Sequence, residues 1–317
     1  MTMKKVIIDC DPGIDDALAL MIAIRSRQLE IEAITTVSGN LTSDRCFNNV
    51  LKVFELLNVD SIPVGQGPLK PLVRDFPSDP FSHGVDGLGN TGLPEPKLQL
   101  PRRYAPDLIV ETVDRYPGEI TLIGTAPLTN IALALMKDPE LPKKVNGLII
   151  IGGAFGFDKS AALNATGDNP VSEWNIYVDP EAARLVFHAG FALTAIGLDV
   201  ATHSDINYRD TDIERLKASN NPEAKFALGL IEFAKGRGFG SWTNLIDSMA
   251  VVTAIKSDLI KVKKIHVDVE TKGELTRGQT VTDIRDNFRW THLPAIDAAY
   301  EADYSAFHDF VVSTLTQ

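Results

Sequence analysis

Short β-branched runs alternate with amphipathic stretches along most of this 317-residue chain, and that alternation restricts the fold more than any other feature. "KKVIID", from Lys4, reads as a buried strand, and "DDALALMIAIRSR", from Asp15, as the helix after it. "IEAITTV" and "SDRCFNNVLKVFELLN" repeat the pair. "EITLIG", "GLIII" and "ALTAIGLDV" are further strand candidates, with "PLTNIALALMKD", "DPEAARLVFHA" and "IDSMAVVTAIKS" as helices among or after them. Apolar strands alternating with helices predict an α/β fold: an open, mostly parallel (mixed) β-sheet with helices on both faces. At 44% hydrophobic residues the chain has material for a large core. Without an internal repeat, low-complexity tract or linker, residues 1–317 are expected to form a single domain.

One region breaks the rhythm. Between Pro63 and Pro106 lie nine of the 18 prolines, with several glycines around "SHGVDGLGNTG". Loops this long inside a compact domain are uncommon and tend to carry function.

The net charge of −11 argues against a nucleic acid or an anionic membrane as partner, because both require a basic face. A small neutral or cationic molecule, or a metal cation, suits it better. Cys10 and Cys46 offer no disulfide framework. The longest apolar run, Ala17 to Ile24, is too short to span a bilayer, and no secretory signal is recognisable. The expectation is a cytoplasmic chain with reduced thiols.

In open α/β sheets, ligands bind beyond the carboxyl ends of the strands. Polar residues gather there: Asp9 and Asp11 after the first strand, Asn40 after the second, Thr125, Gly152 and Gly153, and Asp199. The first of these turns, "DCDPGIDDALAL", places four aspartates within eight residues and no Lys or Arg among them. Asp15 and Asp16 would fall in the first turn of the helix, where its dipole favours negative charge. Capping accounts for one or two of the four. A divalent cation with oxygen ligands accounts for all of them, and carboxylates select Ca²⁺ or Mg²⁺ rather than Zn²⁺.

"DCDPGIDDALAL" resembles the N-terminal signature of the inosine–uridine-type nucleoside hydrolases. "TTVSGN", "HGVDGLG", "GTAPLTNIALAL", "IIIGGAF", "NPVSEWNIYVDPEAARLVF" and "IDSMAV" resemble later blocks of the same family, in its order, over residues 4 to about 255. The resemblance implies a Rossmann-like nucleoside hydrolase fold and Ca²⁺-dependent cleavage of the N-glycosidic bond of ribonucleosides to ribose and free base. The implied metal ligands are Asp11, Asp16, the Thr125 carbonyl and Asp247. Asp11 is also the implied general base, taking a proton from a water activated by the metal. Asp15, Asn40, Glu173 and Asn175 match ribose-holding positions. A homodimer or homotetramer is implied by resemblance alone. Taken in isolation, Thr125 and Asp247 read as helix caps, Asn40 as a turn residue, and Asn175 as a structural amide.

Two departures concern the base and the sugar. Many family members carry a histidine immediately before the last metal aspartate, as the acid that protonates the leaving base, and here that position is Ile246. His83, Trp242 and Phe239 are the base-side candidates instead, with a loop histidine and packing aromatics as the plainer readings. The family's ribose-contacting asparagine falls at Gly167, and Asn169 is its candidate substitute. Two other functions stay open. An aspartyl-phosphate phosphatase would use Asp9 as nucleophile with Mg²⁺, and a non-catalytic nucleoside-binding protein would keep the metal without turnover.

Overall fold

The computed structural model describes residues 3–79, 81–238, 244–283, 285, 287 and 290–317. The strands are β1 (Lys4–Cys10), β2 (Leu29–Thr36), β3 (Val64–Gln66), β4 (Arg103–Tyr104), β5 (Thr121–Gly124), β6 (Gly147–Ile151), β7 (Leu193–Ile196), β8 (Ile260–Val269), β9 (Thr280–Asp283) and β10 (Ala295–Ala302). They form one sheet in the order β4-β3-β2-β1-β5-β6-β7-β10-β8-β9. Every neighbouring pair from β4 across to β10 is parallel, and β8 runs antiparallel to both of its neighbours. The sheet is thus open and mixed, as the strand–helix alternation predicts.

From β1 the chain builds outward through β2, β3 and β4, then returns to the other side of β1 with β5. Crossovers on opposite sides leave a crevice at the carboxyl ends of β1 and β5, the position where α/β sheets bind ligands.

The helices are α1 (Ile14–Ser26), α2 (Ser43–Leu57), α3 (Ala105–Arg115), α4 (Thr129–Lys137), α5 (Leu141–Lys144), α6 (Trp174–Val178) and α7 (Pro180–His188), followed by α8 (Leu198–Ala201), α9 (Asp210–Ala218), α10 (Pro222–Gly236), α11 (Ile246–Ile255) and α12 (Tyr304–Thr316). Alternation along β1 shows how they cover the sheet. Val6, Ile8 and Cys10 belong to the core beneath α1, α2, α11 and α12, and Ile7 to the core beneath α3, α4 and α7. Among the described residues no helix is long and apolar enough to cross a membrane.

Two sequence expectations are corrected. "ALTAIGLDV" is not one strand, because β7 stops at Ile196 and α8 begins at Leu198. The chain turns there because Leu198 N–H donates to the Gly153 carbonyl at 2.8 Å, and a Cβ on Gly197 would sit 2.7 Å from that same oxygen. The proline-rich stretch does hold regular structure at its two ends, β3 and β4, and between them it is irregular. The amino-terminal half of β8 is exposed, and Lys261, Lys263 and Lys264 on it guard the sheet against edge pairing.

Candidate active site

Strand β1 ends in Cys10, and Asp11-Pro12-Gly13 turns the chain directly into α1. This turn fixes Asp16 by four donors. Its carboxylate accepts from the main-chain N–H of Asp11 at 3.3 Å and of Gly13 at 3.2 Å, from the Thr125 hydroxyl at 2.8 Å, and from Asn40 Nδ2 at 3.3 Å. Asp11 Oδ2 accepts the Asn40 N–H at 2.6 Å. That close approach requires Gly39, whose Cβ would lie 2.0 Å from the same oxygen. Asp9 points to the opposite layer, where Thr35 and Asn130 donate to it at 2.6 and 2.8 Å. Neither Asp9 nor Asp11 is among the residues lining the cavity described below, but Asp9 is held by these donors outside the trio of Asp15, Asp16 and Asp247, so the phosphatase reading loses its nucleophile.

Asp247 arrives from the first turn of α11, which packs on α1. Asp15, Asp16 and Asp247 each present an oxygen, and the three lie within 4.8 Å of one another. All are buried, as is Asp11. Burial pushes the carboxyls of Asp11 and Asp247 well above the ordinary range and that of Asp15 up to about 8, with the neighbouring carboxylates adding to the effect. Asp11 Oδ1 and Asp15 Oδ1 are buried without a hydrogen-bond partner. Buried anionic oxygens that lack both donors and a counter-charge are costly. A hard divalent cation, which takes oxygen ligands and neutralises the cluster, fits this donor set. Asp11 lies just outside the trio, and Asp15, expected only on the sugar, is inside it.

The helix-cap alternatives for Thr125 and Asp247 do not hold. The residue capping α4 is Leu128 and the one capping α11 is Leu245. The Thr125 carbonyl instead accepts Asn175 Nδ2 at 3.0 Å, and the same amide group donates to the Ile151 carbonyl at 3.0 Å. Asn175 therefore ties the ends of β5 and β6 together while lining the cavity. Glu173 caps α6 and accepts three main-chain N–H groups, from Asn175, Ile176 and Gly153.

Above the acidic cluster opens a cavity of about 520 Å³. Asp15, Asn40, Thr125, Glu173, Asn175 and Asp247 form its polar side. Asn169 is not on that wall. Its amide organises the loop, donating to the Arg277 carbonyl at 2.8 Å and accepting from Val171 N–H and the Ser172 hydroxyl. Asn164, three residues before Gly167, reaches the cavity. Ile246 also faces the cavity, 9% exposed. Trp242 and Phe239 lie outside the described residues.

His83 is buried in the wall rather than exposed on a loop. The N–H of Ile14 donates to its Nδ1 at 3.1 Å, and burial pushes its pKa down to about 4. Its 3.6 Å approach to Asp15 Oδ1 is therefore not an ion pair, since Nδ1 carries no proton. Arg237, Asp79 and Trp174 also line the cavity. Their residue types alone gave no reason to single them out, because tertiary contacts bring them to the wall.

A sequence model of the inosine-uridine preferring nucleoside hydrolases matches residues 6–309. The chain belongs to this family. Membership makes it a hydrolase acting on N-glycosyl bonds. The pyrimidine-specific ribonucleoside hydrolase RihA of Citrobacter koseri is 36% identical over 98% of this chain and 97% of its own length. Its counterpart in Escherichia coli O7:K1 is 38% identical over the same shares. Among solved structures, a plant nucleoside hydrolase superposes with a TM-score of 0.86 at 31% identity, covering 99% of both chains. This nucleoside hydrolase thus shares its fold with the plant enzyme over nearly the whole length of both chains.

Proposed function

We propose that this nucleoside hydrolase is a Ca²⁺-dependent ribonucleosidase that releases ribose and a free base, with Asp11 as general base. The observation that carries the reading is the buried cluster of Asp15, Asp16 and Asp247, with Asp15 and Asp247 lining the cavity and Asp11, also buried, bonded to Asp16 through its main-chain N–H. Asp16, Asp247, Asp15 and the Thr125 carbonyl would hold the ion, with Asp11 beside them. When bound, calcium supplies positive charge that orients sugar hydroxyls and makes a water more acidic.

The protein's own groups do the rest. Asn40 N–H anchors one oxygen of Asp11, and the other oxygen is without a partner and free to accept the proton of the attacking water. Asp15, Asn40, Glu173 and Asn175 face the ribose and fix its hydroxyls relative to that water. With both Glu173 oxygens engaged by main-chain N–H groups, this residue orients rather than transfers protons. Cleavage proceeds through an oxocarbenium-like ribosyl group.

The test is a reducing-sugar assay over inosine, adenosine, guanosine, uridine and cytidine, with Ca²⁺ or with chelator. Ribose release that requires calcium and falls at least about 100-fold in Asp11→Asn supports the reading. Tight nucleoside binding with no release of ribose would sink it in favour of a binding protein.

A further inference from the structure

Glu173 and Asn175 flank Trp174, and all three line the cavity. Hydrogen bonds to the ends of β5 and β6 hold the two polar side chains. Trp174 is held differently. Its main-chain N–H donates to the Thr166 hydroxyl at 2.8 Å, but among the described residues its indole Nε1 is buried without a partner. No hydrogen bond therefore orients the ring. Trp174, Tyr177 and Val178 form a small apolar cluster apart from both main cores, so those cores do not orient it either.

What packs on this cluster comes from far along the chain. The antiparallel hairpin of β8 and β9 lies downstream of every motif that marks the site. At Gly278, where φ is +77°, its turn rests directly on α6, and a Cβ there would stand 2.7 Å from Tyr177 Cα. The Arg277 guanidinium lies over the Tyr177 ring, 4.1 Å from its centroid. Tyr177 in turn stacks on Trp174, with centroids 6.0 Å and planes 24° apart. The Arg277 carbonyl accepts Asn169 Nδ2 at 2.8 Å. The Thr280 hydroxyl takes the Ala154 N–H at 2.9 Å and donates to the Ala154 carbonyl at 2.6 Å. One hairpin thus braces α6, the loop of Asn169 and the turn after β6.

We propose that Arg277 is a positioning residue for ribose binding: through the Tyr177 ring it fixes the Trp174 indole as the wall between Glu173 and Asn175. This rests on the ribonucleosidase reading and deepens it. A guanidinium suits the task, because its planar cation keeps its place over an aromatic face. Arg277 touches neither sugar nor metal and acts only through the stack. A wall that fits the bound ribose and the oxocarbenium-like group alike contributes uniform binding, so loosening it raises KM and spares kcat.

The test measures kcat, KM and the Ca²⁺-dependent rise in Tm for wild type, Arg277→Ala, Arg277→Lys, Tyr177→Leu and the Tyr177→Leu/Arg277→Ala double variant. The substrate is whichever of the five nucleosides above wild type cleaves fastest. Arg277→Ala keeps the carbonyl that Asn169 uses, and Arg277→Met replaces it if that variant does not fold. KM is expected to rise about 10-fold in Arg277→Ala, the size of a lost cation–π contact, with kcat and the calcium response retained. Arg277→Lys recovers most of the loss. Adding Arg277→Ala to Tyr177→Leu changes KM little further, because the two residues act in series. A lower Tm with KM unchanged, a loss confined to kcat, a lost calcium response, no recovery in Arg277→Lys, or additive effects in the double variant overturns the assignment and leaves the hydrolase reading intact. If wild type releases ribose from none of the five, the ribonucleosidase reading falls and this assignment with it.

Discussion

The main-chain N–H of Ile14 donates to Nδ1 of His83 at 3.1 Å, joining the irregular loop after β3 to the first turn of α1. An N–H at a helix start has no partner within the helix, and a side chain from 69 residues away supplies one. The bond settles the tautomer of His83, with the proton on Nε2, and keeps the ring neutral. Replacing His83 by Ala should therefore cost about 1 kcal/mol as a lost cap, with some further loss of packing. Urea denaturation of the chelated protein measures it. The pH–rate profile of wild type should show no His83 limb between pH 5 and 8, because its pKa lies at about 4.

The buried carboxyls set the pH dependence of the metal-free fold. Asp9 and Glu173 are raised to about 7 and Asp15 to about 8, chiefly by burial. Between an ordinary carboxylate value of about 4 and those values, the folded chain holds protons that the unfolded chain has released. Stability then falls as pH rises through about 7 to 8. His83 has the opposite sign, but its window closes near pH 6.5, below this range. The Tm of chelated protein should drop from pH 6 to pH 8.5. Calcium binds the ionised carboxylates, so the Tm gain on adding it should grow over the same interval. A chelated protein that gained stability with rising pH would contradict this account of the cluster.

Gly39 leaves the space that Asp11 occupies. In Gly39→Ala the new methyl would stand 2.0 Å from Asp11 Oδ2, where Asn40 N–H now donates. The base must move, and displacement of a reacting group by about 1 Å costs on the order of 100-fold in rate. Steady-state kinetics should show kcat falling far more than KM changes.

Asp199 is buried in α8 and accepts N–H bonds from Phe155 and Phe157 at 2.6 Å and from Asp158 at 3.0 Å. Asp199→Ala leaves three donors of that loop unpaired and should destabilise the fold by about 3 kcal/mol or more. Hydrogen exchange at Phe155, Phe157 and Asp158 should accelerate in this variant more than exchange in β1.

Asp16→Ala and Asp247→Ala should each abolish the calcium-dependent rise in Tm, because each removes an oxygen from the trio within 4.8 Å. Asp11→Asn should retain most of that rise while losing turnover. Differential scanning fluorimetry with and without Ca²⁺ separates the two behaviours.

Much of this molecule can be read from residue order. The βα unit of β1 and α1, the second unit of β2 and α2, and the strands "TLIG" and "GLIII" follow from periodicity, because a strand buried on both faces has to be apolar throughout. The acidic turn is legible for an electrostatic reason, since clustered aspartates demand a counter-charge, but only the structure separates Asp9, held by Thr35 and Asn130, from the others. Family motifs placed Asp247 and Glu173 beside that turn, which their spacing of more than 150 residues could not do. Other features depend on three-dimensional contacts. Asn169 reads as a ligand but is consumed by its own loop, because short polar side chains find main-chain partners nearby first. Asp199 reads as a strand-end residue but lies inside a helix, because Gly153 captures the N–H of Leu198 and turns the chain. His83 and Arg237 sit in stretches with no periodic signal, and only the folding of the proline-rich loop and the end of α10 over the crevice brings them to the wall. Local sequence decides strands, helices and charge. Which side chains share a cavity depends on long-range packing, and no local pattern encodes that.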